Sequence, residues 1–211
     1  MHQHPDHLLL PIYRREIYNA LDEVSVSASA AHLVKVWLGI LTVRRVLSYW
    51  QPIDHSEEDE YNYIPQHMLE MTEGMLNGIV PKTTLKEKVE HWFEMSATTG
   101  ELSESPYYNN WCVFDAGLAT ARLAIEPRFW QTAKIDRDTT DDDLHHQDGD
   151  TARWACTAYA GGEWTPSQRN NPHRESYGSW NRNTPEASGK RKEFWEWWLL
   201  QVASDSWQKV R

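Results

Sequence analysis

The chain has 211 residues, a formal net charge of −10, twelve tryptophans, nine tyrosines and four phenylalanines. That length supports one domain with a core built from large rings, and the acidic balance disfavours direct binding to a phosphate backbone while suiting a basic protein partner. Two cysteines, Cys112 and Cys156, exclude a disulfide scaffold and read as buried thiols of an intracellular protein.

Residues 1–10 include His2, His4 and His7 and read as a frayed tail. They lack the basic start and long apolar run of a secretory signal. Pro11 suits the first turn of a helix, where its missing N–H costs nothing. Ile12, Ile17, Tyr18 and Leu21 then give a short amphipathic helix to about Glu23.

Ser27 and Ser29 are candidate caps for the next helix, which the pattern carries to about Trp50. It is apolar nearly all round, from Leu33 and Val34 to Leu47 and Trp50. Lys35, Gly39, Thr42 and Arg45 form a narrow stripe at helical spacing. This is the expected central helix. Its charges and length fall short of a membrane span. A soluble, cytoplasmic protein without membrane contact is therefore expected.

Gln51-Pro52 ends that helix. Asp54, Glu57, Glu58, Asp59 and Glu60 follow without a base and read as a solvated acidic loop. Pro65 restarts a helix with Met68, Leu69, Met71, Met75 and Leu76 on its apolar side, ending at Gly78. Thr84-Leu85-Lys86-Glu87 has capping-box spacing and opens a helix carrying Val89, Trp92, Phe93 and Met95. Ser105-Pro106 signals another start. In that element the small residues Ala116, Gly117, Ala119, Ala121 and Ala124 permit close helix approach, and Pro127 ends it.

Residues 136–150 hold seven aspartates against Arg137 alone. Aspartate is a poor helix-interior residue, so this is a second acidic loop with room for a short turn. Asp148 or Asp150 caps the next helix, which contains Trp154, Cys156 and Tyr159 and stops at Gly161-Gly162. Residues 163–189 are rich in Asn, Ser, Pro and Gly and read as a long irregular loop.

The last helix is the most distinctive. Trp195, Trp198, Leu199 and Val202 share one face, and Phe194 widens it. Trp197 lies about 200° round the wheel from Trp195 and points the other way. Such a helix is inserted between other elements, or offers one side to a partner. With no convincing strand pattern and no repeat, residues 1–211 read as a single all-α domain. It is a bundle of about seven helices with a long loop before the Trp-rich C-terminal helix.

The chain has no GxSxG, HExxH, CxxC or phosphate-loop pattern, so no enzyme is expected. Asp141-Asp142-Asp143-Leu144-His145-His146 is the best metal candidate by residue type. Consecutive residues rarely aim at one centre, however, and no second ligand set follows. Neither a metal nor a cofactor is assigned.

Three stretches together resemble a known family. They are Pro65-Gln66-His67-Met68-Leu69-Glu70-Met71 with Gly78, Trp154-Ala155-Cys156-Thr157-Ala158-Tyr159-Ala160-Gly161-Gly162 after its Asp-rich entry, and Arg191-Lys192-Glu193-Phe194-Trp195-Glu196-Trp197-Trp198-Leu199 followed by Trp207. Their order resembles the all-α immunity proteins of bacterial polymorphic-toxin systems known as immunity protein family five. The likeness runs from Pro11 to Trp207. It implies a non-enzymatic antitoxin that binds one cognate toxin domain and blocks its active site or exit path. It implies no particular contact residues, because the aromatic signature reads as scaffold.

Many toxin domains that act on nucleic acids present basic clefts, and an acidic inhibitor fills such a cleft by imitating phosphate. Glu57, Glu58, Asp59, Glu60, Asp141, Asp142 and Asp143 are therefore the expected partner-binding residues. Two other readings stay open. One is an acidic, metal-dependent enzyme at Asp141–His146. The other is a helical adaptor that binds through residues 163–189.

Overall fold

A computed structural model of the chain describes residues 9–51, 63–98, 108–128, 134–144, 149–161, 163–166, 178–181 and 184–210. The helices are α1 (Pro11–Val24), α2 (Ala28–Val46), α3 (Ile64–Leu76), α4 (Lys82–Thr98), α5 (Tyr108–Ile125) and α6 (Thr151–Ala160). The C-terminal rod follows, with α7 (Pro185–Trp197), a π-helical turn (Trp198–Val202) and α8 (Ala203–Gln208) joined end to end. Counting that rod once, the described residues form seven helical units, as the periodicity predicts.

The start signals act as their chemistry dictates. Pro11 sits in the first turn of α1. Ser27, not Ser29, caps α2, its hydroxyl accepting the Ala30 N–H at 3.1 Å. Asp150, not Asp148, caps α6 through the Arg153 N–H at 3.0 Å. α6 stops at Gly161, whose φ of +64° is open to glycine and strained for other residues.

Four sequence expectations need correction. The helix read from the Thr84 capping box opens two residues earlier, at Lys82. The Pro81 carbonyl accepts the Leu85 N–H at 3.1 Å, and Thr84 lies inside the first turn. Leu9 and Leu10, read as tail, are anchored: Leu9 is buried. The segment 163–189 is not irregular throughout. Glu163–Pro166 (β1) and Gly178–Asn181 (β2) pair antiparallel, with Trp164 opposite Trp180. Four-residue strands are too short to show alternation in sequence. That loop also ends sooner than expected, because Thr184 caps α7 at Ala187 and Pro185 starts it.

α2 is central, as expected, and α5 shares the role. α2 packs on α1, α3, α5, α6 and α8, while α5 packs on α2, α3, α4 and α6. Close approach of α2 and α5 rests on small residues. A Cβ on Gly39 would lie 2.9 Å from Thr120 Cγ2, so alanine there has no room. Thr120 in turn shares a 2.9 Å hydroxyl contact with Thr151 of α6.

The stripe on α2 is mostly interior. Lys35 Nζ reaches Asp22 of α1 at 2.6 Å, and Thr42 Oγ1 accepts the Trp198 indole N–H at 3.0 Å. Only Arg45, at the far end, is exposed. The rings of the C-terminal rod divide by face. Phe194, Trp195 and Trp198 are buried, whereas Trp197 is half-buried. Buried rings cover roughly 150–250 Å² each and carry much of the core energy. Among the described residues, no helix is long and apolar enough to cross a membrane.

Candidate partner-binding surface

The second acidic loop is built on one buried guanidinium. Arg14 of α1 is fully buried, which no charged side chain tolerates without partners. Its Nε donates to Asp150 Oδ2 at 2.7 Å, its Nη2 to Asp141 Oδ1 at 2.5 Å, and its Nη1 to Asp141 Oδ2 at 3.2 Å. Nη1 also donates to the Leu9 carbonyl. Burial works against the Arg14 charge, but Asp141 and Asp150 outweigh it and hold its pKa above the ordinary arginine value. The pair of carboxylates thus ties the N-terminal segment, the loop and the α6 cap to one point.

A second arginine extends the clamp. Arg15 Nη2 donates to the Ile135 carbonyl at 2.5 Å. Between these anchors the backbone folds on its own side chains. Asp136 Oδ1 accepts the Asp138 N–H at 3.0 Å, the Thr139 N–H at 2.9 Å and the Thr139 hydroxyl at 2.8 Å. A 3₁₀ turn over Asp141–Asp143 follows, closed by a reciprocal cap. In it Asp143 Oδ2 accepts both the N–H and the hydroxyl of Thr140 at 2.7 Å.

These bonds favour the ionised carboxylates. The Thr139 hydroxyl, then the Asp138 N–H, holds Asp136 below the usual aspartate range. The Thr140 hydroxyl and N–H do the same for Asp143. Both side chains are exposed, and Asp138 beside them is exposed too. The loop therefore presents fixed negative charge at neutral pH.

The predicted site residues fare unequally. Asp141 faces inward to Arg14 and stands 3.7 Å from Arg153 Nε, with its side chain 22% exposed. Asp143 faces solvent. Asp142 is the middle residue of the turn. Glu57, Glu58, Asp59 and Glu60 lie outside the described residues, as do His145 and His146. The outward carboxylates of Asp136 and Asp138 were not singled out by composition. Their signal was the spacing Asp136-x-x-Thr139 beside Thr140-x-x-Asp143, which lets side chains close turns on the backbone.

Cys112 and Cys156 are both buried and are not joined in a disulfide. Burial raises the pKa of the Cys156 thiol, so it stays protonated. Burial, then Asp150, does the same for the Tyr18 hydroxyl.

A family model described as immunity protein Imm5 matches residues 1–204. The chain belongs to the Imm5 family. The match takes in the acidic loop, the Trp-rich rod up to Ser204 and every helix before it. It agrees with the resemblance read from the Phe194–Leu199 signature. No curated protein matches the chain. Membership makes this an immunity protein and implies a cognate toxin protein as partner, bound by a non-enzymatic inhibitor. In this Imm5 protein the signature rings Phe194, Trp195 and Trp198 are core, so the signature marks the scaffold before any contact.

Proposed function

We propose that this Imm5 protein neutralises one cognate toxin domain in the cytoplasm by covering its active site, and that the toxin acts on nucleic acid through a basic cleft. The acidic loop 134–144 carries this reading. Its Asp136 and Asp143 carboxylates are held ionised by local hydrogen bonds, and the loop is locked to α1 and to the α6 cap by Arg14 and Arg15. A rigid array of anions loses little entropy on meeting a cationic cleft. Asp141 serves the array from inside by holding the turn, while Asp143 faces outward, and Asp142 is kept among the contact residues on sequence grounds alone. Glu57, Glu58, Asp59 and Glu60 supply the second cluster on the same sequence grounds.

The test is co-expression with the toxin encoded by the neighbouring gene, then binding kinetics. Replacing Asp136, Asp138 and Asp143 by Asn is expected to slow association on the order of tenfold at low salt and to flatten its salt dependence. Neutralising Glu57–Glu60 as well should deepen both effects. Unchanged protection and unchanged kinetics in both variants would sink the electrostatic reading.

A further inference from the structure

Arg45, at the exposed end of α2, is held against two aromatic rings at once. Its Cζ lies 5.2 Å from the Tyr159 ring centroid and 5.1 Å from the Trp197 ring centroid. A guanidinium placed against two aromatic faces gains cation–π attraction from each. Buried Phe194 underlies both rings, at 5.8 Å from Tyr159 and 5.6 Å from Trp197. Tyr49 meets Tyr159 edge-on at 5.9 Å. The clamp is therefore rigid, although the Arg45 side chain is 40% exposed.

Its carboxylate partner is a poor one. Arg45 Nη2 reaches Glu193 Oε1 at 3.5 Å and the Tyr159 hydroxyl at 3.3 Å. The Glu193 oxygen is already taken by the Tyr159 O–H. Neighbouring Arg44 has Glu73 at 2.5 Å, and Lys35 has Asp22 at 2.6 Å. No described carboxylate takes Arg45 Nε or Nη1. An arginine with its fork preorganised and underused suits a bidentate carboxylate from outside. Trp, Tyr and Arg in one rigid patch are also the residues that most often dominate binding energy at interfaces.

We propose that Arg45, clamped between Tyr159 and Trp197, is a docking point for an aspartate or glutamate side chain of the toxin protein. This rests on the reading that the partner is a toxin protein, but not on the acidic loop being its contact. Tyr159 lies near the C-terminal end of α6, and the Arg14-bound cap Asp150 lies at its start. At 1.5 Å per residue these two anchors are about 14 Å apart along the helix axis. A partner that is basic at one end and acidic at the other is held in a single orientation.

The test uses the toxin domain encoded by the neighbouring gene, inactivated at its own active site, and measures association and dissociation separately. Each variant is first checked by thermal melting. Arg45→Ala should speed dissociation at least thirtyfold and leave association within about twofold. Arg45→Lys should restore only part of this, since an ammonium has no fork. Glu193→Gln removes a competing anion and should bind as tightly as the parent or tighter. Parental dissociation in Arg45→Ala, or weakening by Glu193→Gln equal to that of Arg45→Ala, overturns the proposal. The Asp136/Asp138/Asp143→Asn variant runs alongside. If it alone loses binding, Arg45 is not a docking point. If Arg45→Ala alone does, the acidic-loop reading fails and this one stands. No binding by the parent chain overturns both.

Discussion

Arg14 and Arg45 sit toward opposite ends of α6 and are treated by the fold in opposite ways. Arg14 is wholly buried, and two carboxylates and a carbonyl take up its guanidinium donors. Arg45 is held by ring faces, and its only carboxylate among the described residues stands 3.5 Å away. Both are positioned firmly, but only the first is used up by the fold. A buried ion pair broken from one side leaves a stranded charge, whereas a surface pair is worth little. Removing Arg14 should therefore show in stability, and removing Arg45 in recognition.

The largest effect is expected from Arg14→Met. It strands Asp141 and Asp150 against an apolar side chain, and should cost about 3–5 kcal/mol in urea unfolding, less whatever water reaches Asp141. A loss below about 1 kcal/mol would mean that the loop does not depend on this guanidinium. Asp150→Asn comes next. Asparagine still caps α6 but removes the charge facing Arg14, so a loss of roughly 1–3 kcal/mol is expected. If it matches the cost of Asp150→Ala, the ion pair and not the cap is what matters.

Arg45→Ala should change stability by about 1 kcal/mol or less, since its contacts are at the surface. A drop as large as that of Arg14→Met would erase the distinction between the two sites. The smallest effect concerns pH. Asp136 and Asp143 have lowered pKa values in the folded chain. Any stability they add is fully present above the unfolded aspartate value. It is lost only as pH falls through the lower folded values. Carboxyl-carbon NMR titration should place both midpoints below 3.8; midpoints at or above it would show that the Thr139 and Thr140 bonds are not formed in solution.

Local chemistry was legible and distant pairing was not. Pro11, Ser27, Asp150 and the apolar faces of α1, α2 and α3 are visible because each acts within a turn or two of itself. Trp197 was visible as the odd ring out, since helical geometry alone turns it away from Trp195. Arg14 gave no signal in sequence. Its carboxylates lie 127 and 136 positions away, and a charge at an amphipathic helix reads as solvated until the tertiary partner is known. The same holds for Arg45, which is separated from Glu193 by 148 positions. The acidic loop was found by composition. Composition could not tell Asp141, which the fold consumes, from Asp136 and Asp143, which it displays. The paired strands over 163–181 escaped because four residues offer too few alternations to stand out from a polar background.

The chain has only two sulfhydryls, and both are shut away, with Cys156 next to the ion-paired end of α6. An alkylating reagent thus has nothing to modify until the bundle opens. The rate of adduct formation reads out that opening directly, without an engineered reporter. Recorded with toxin present and absent, the same clock measures how firmly complex formation keeps the helices closed.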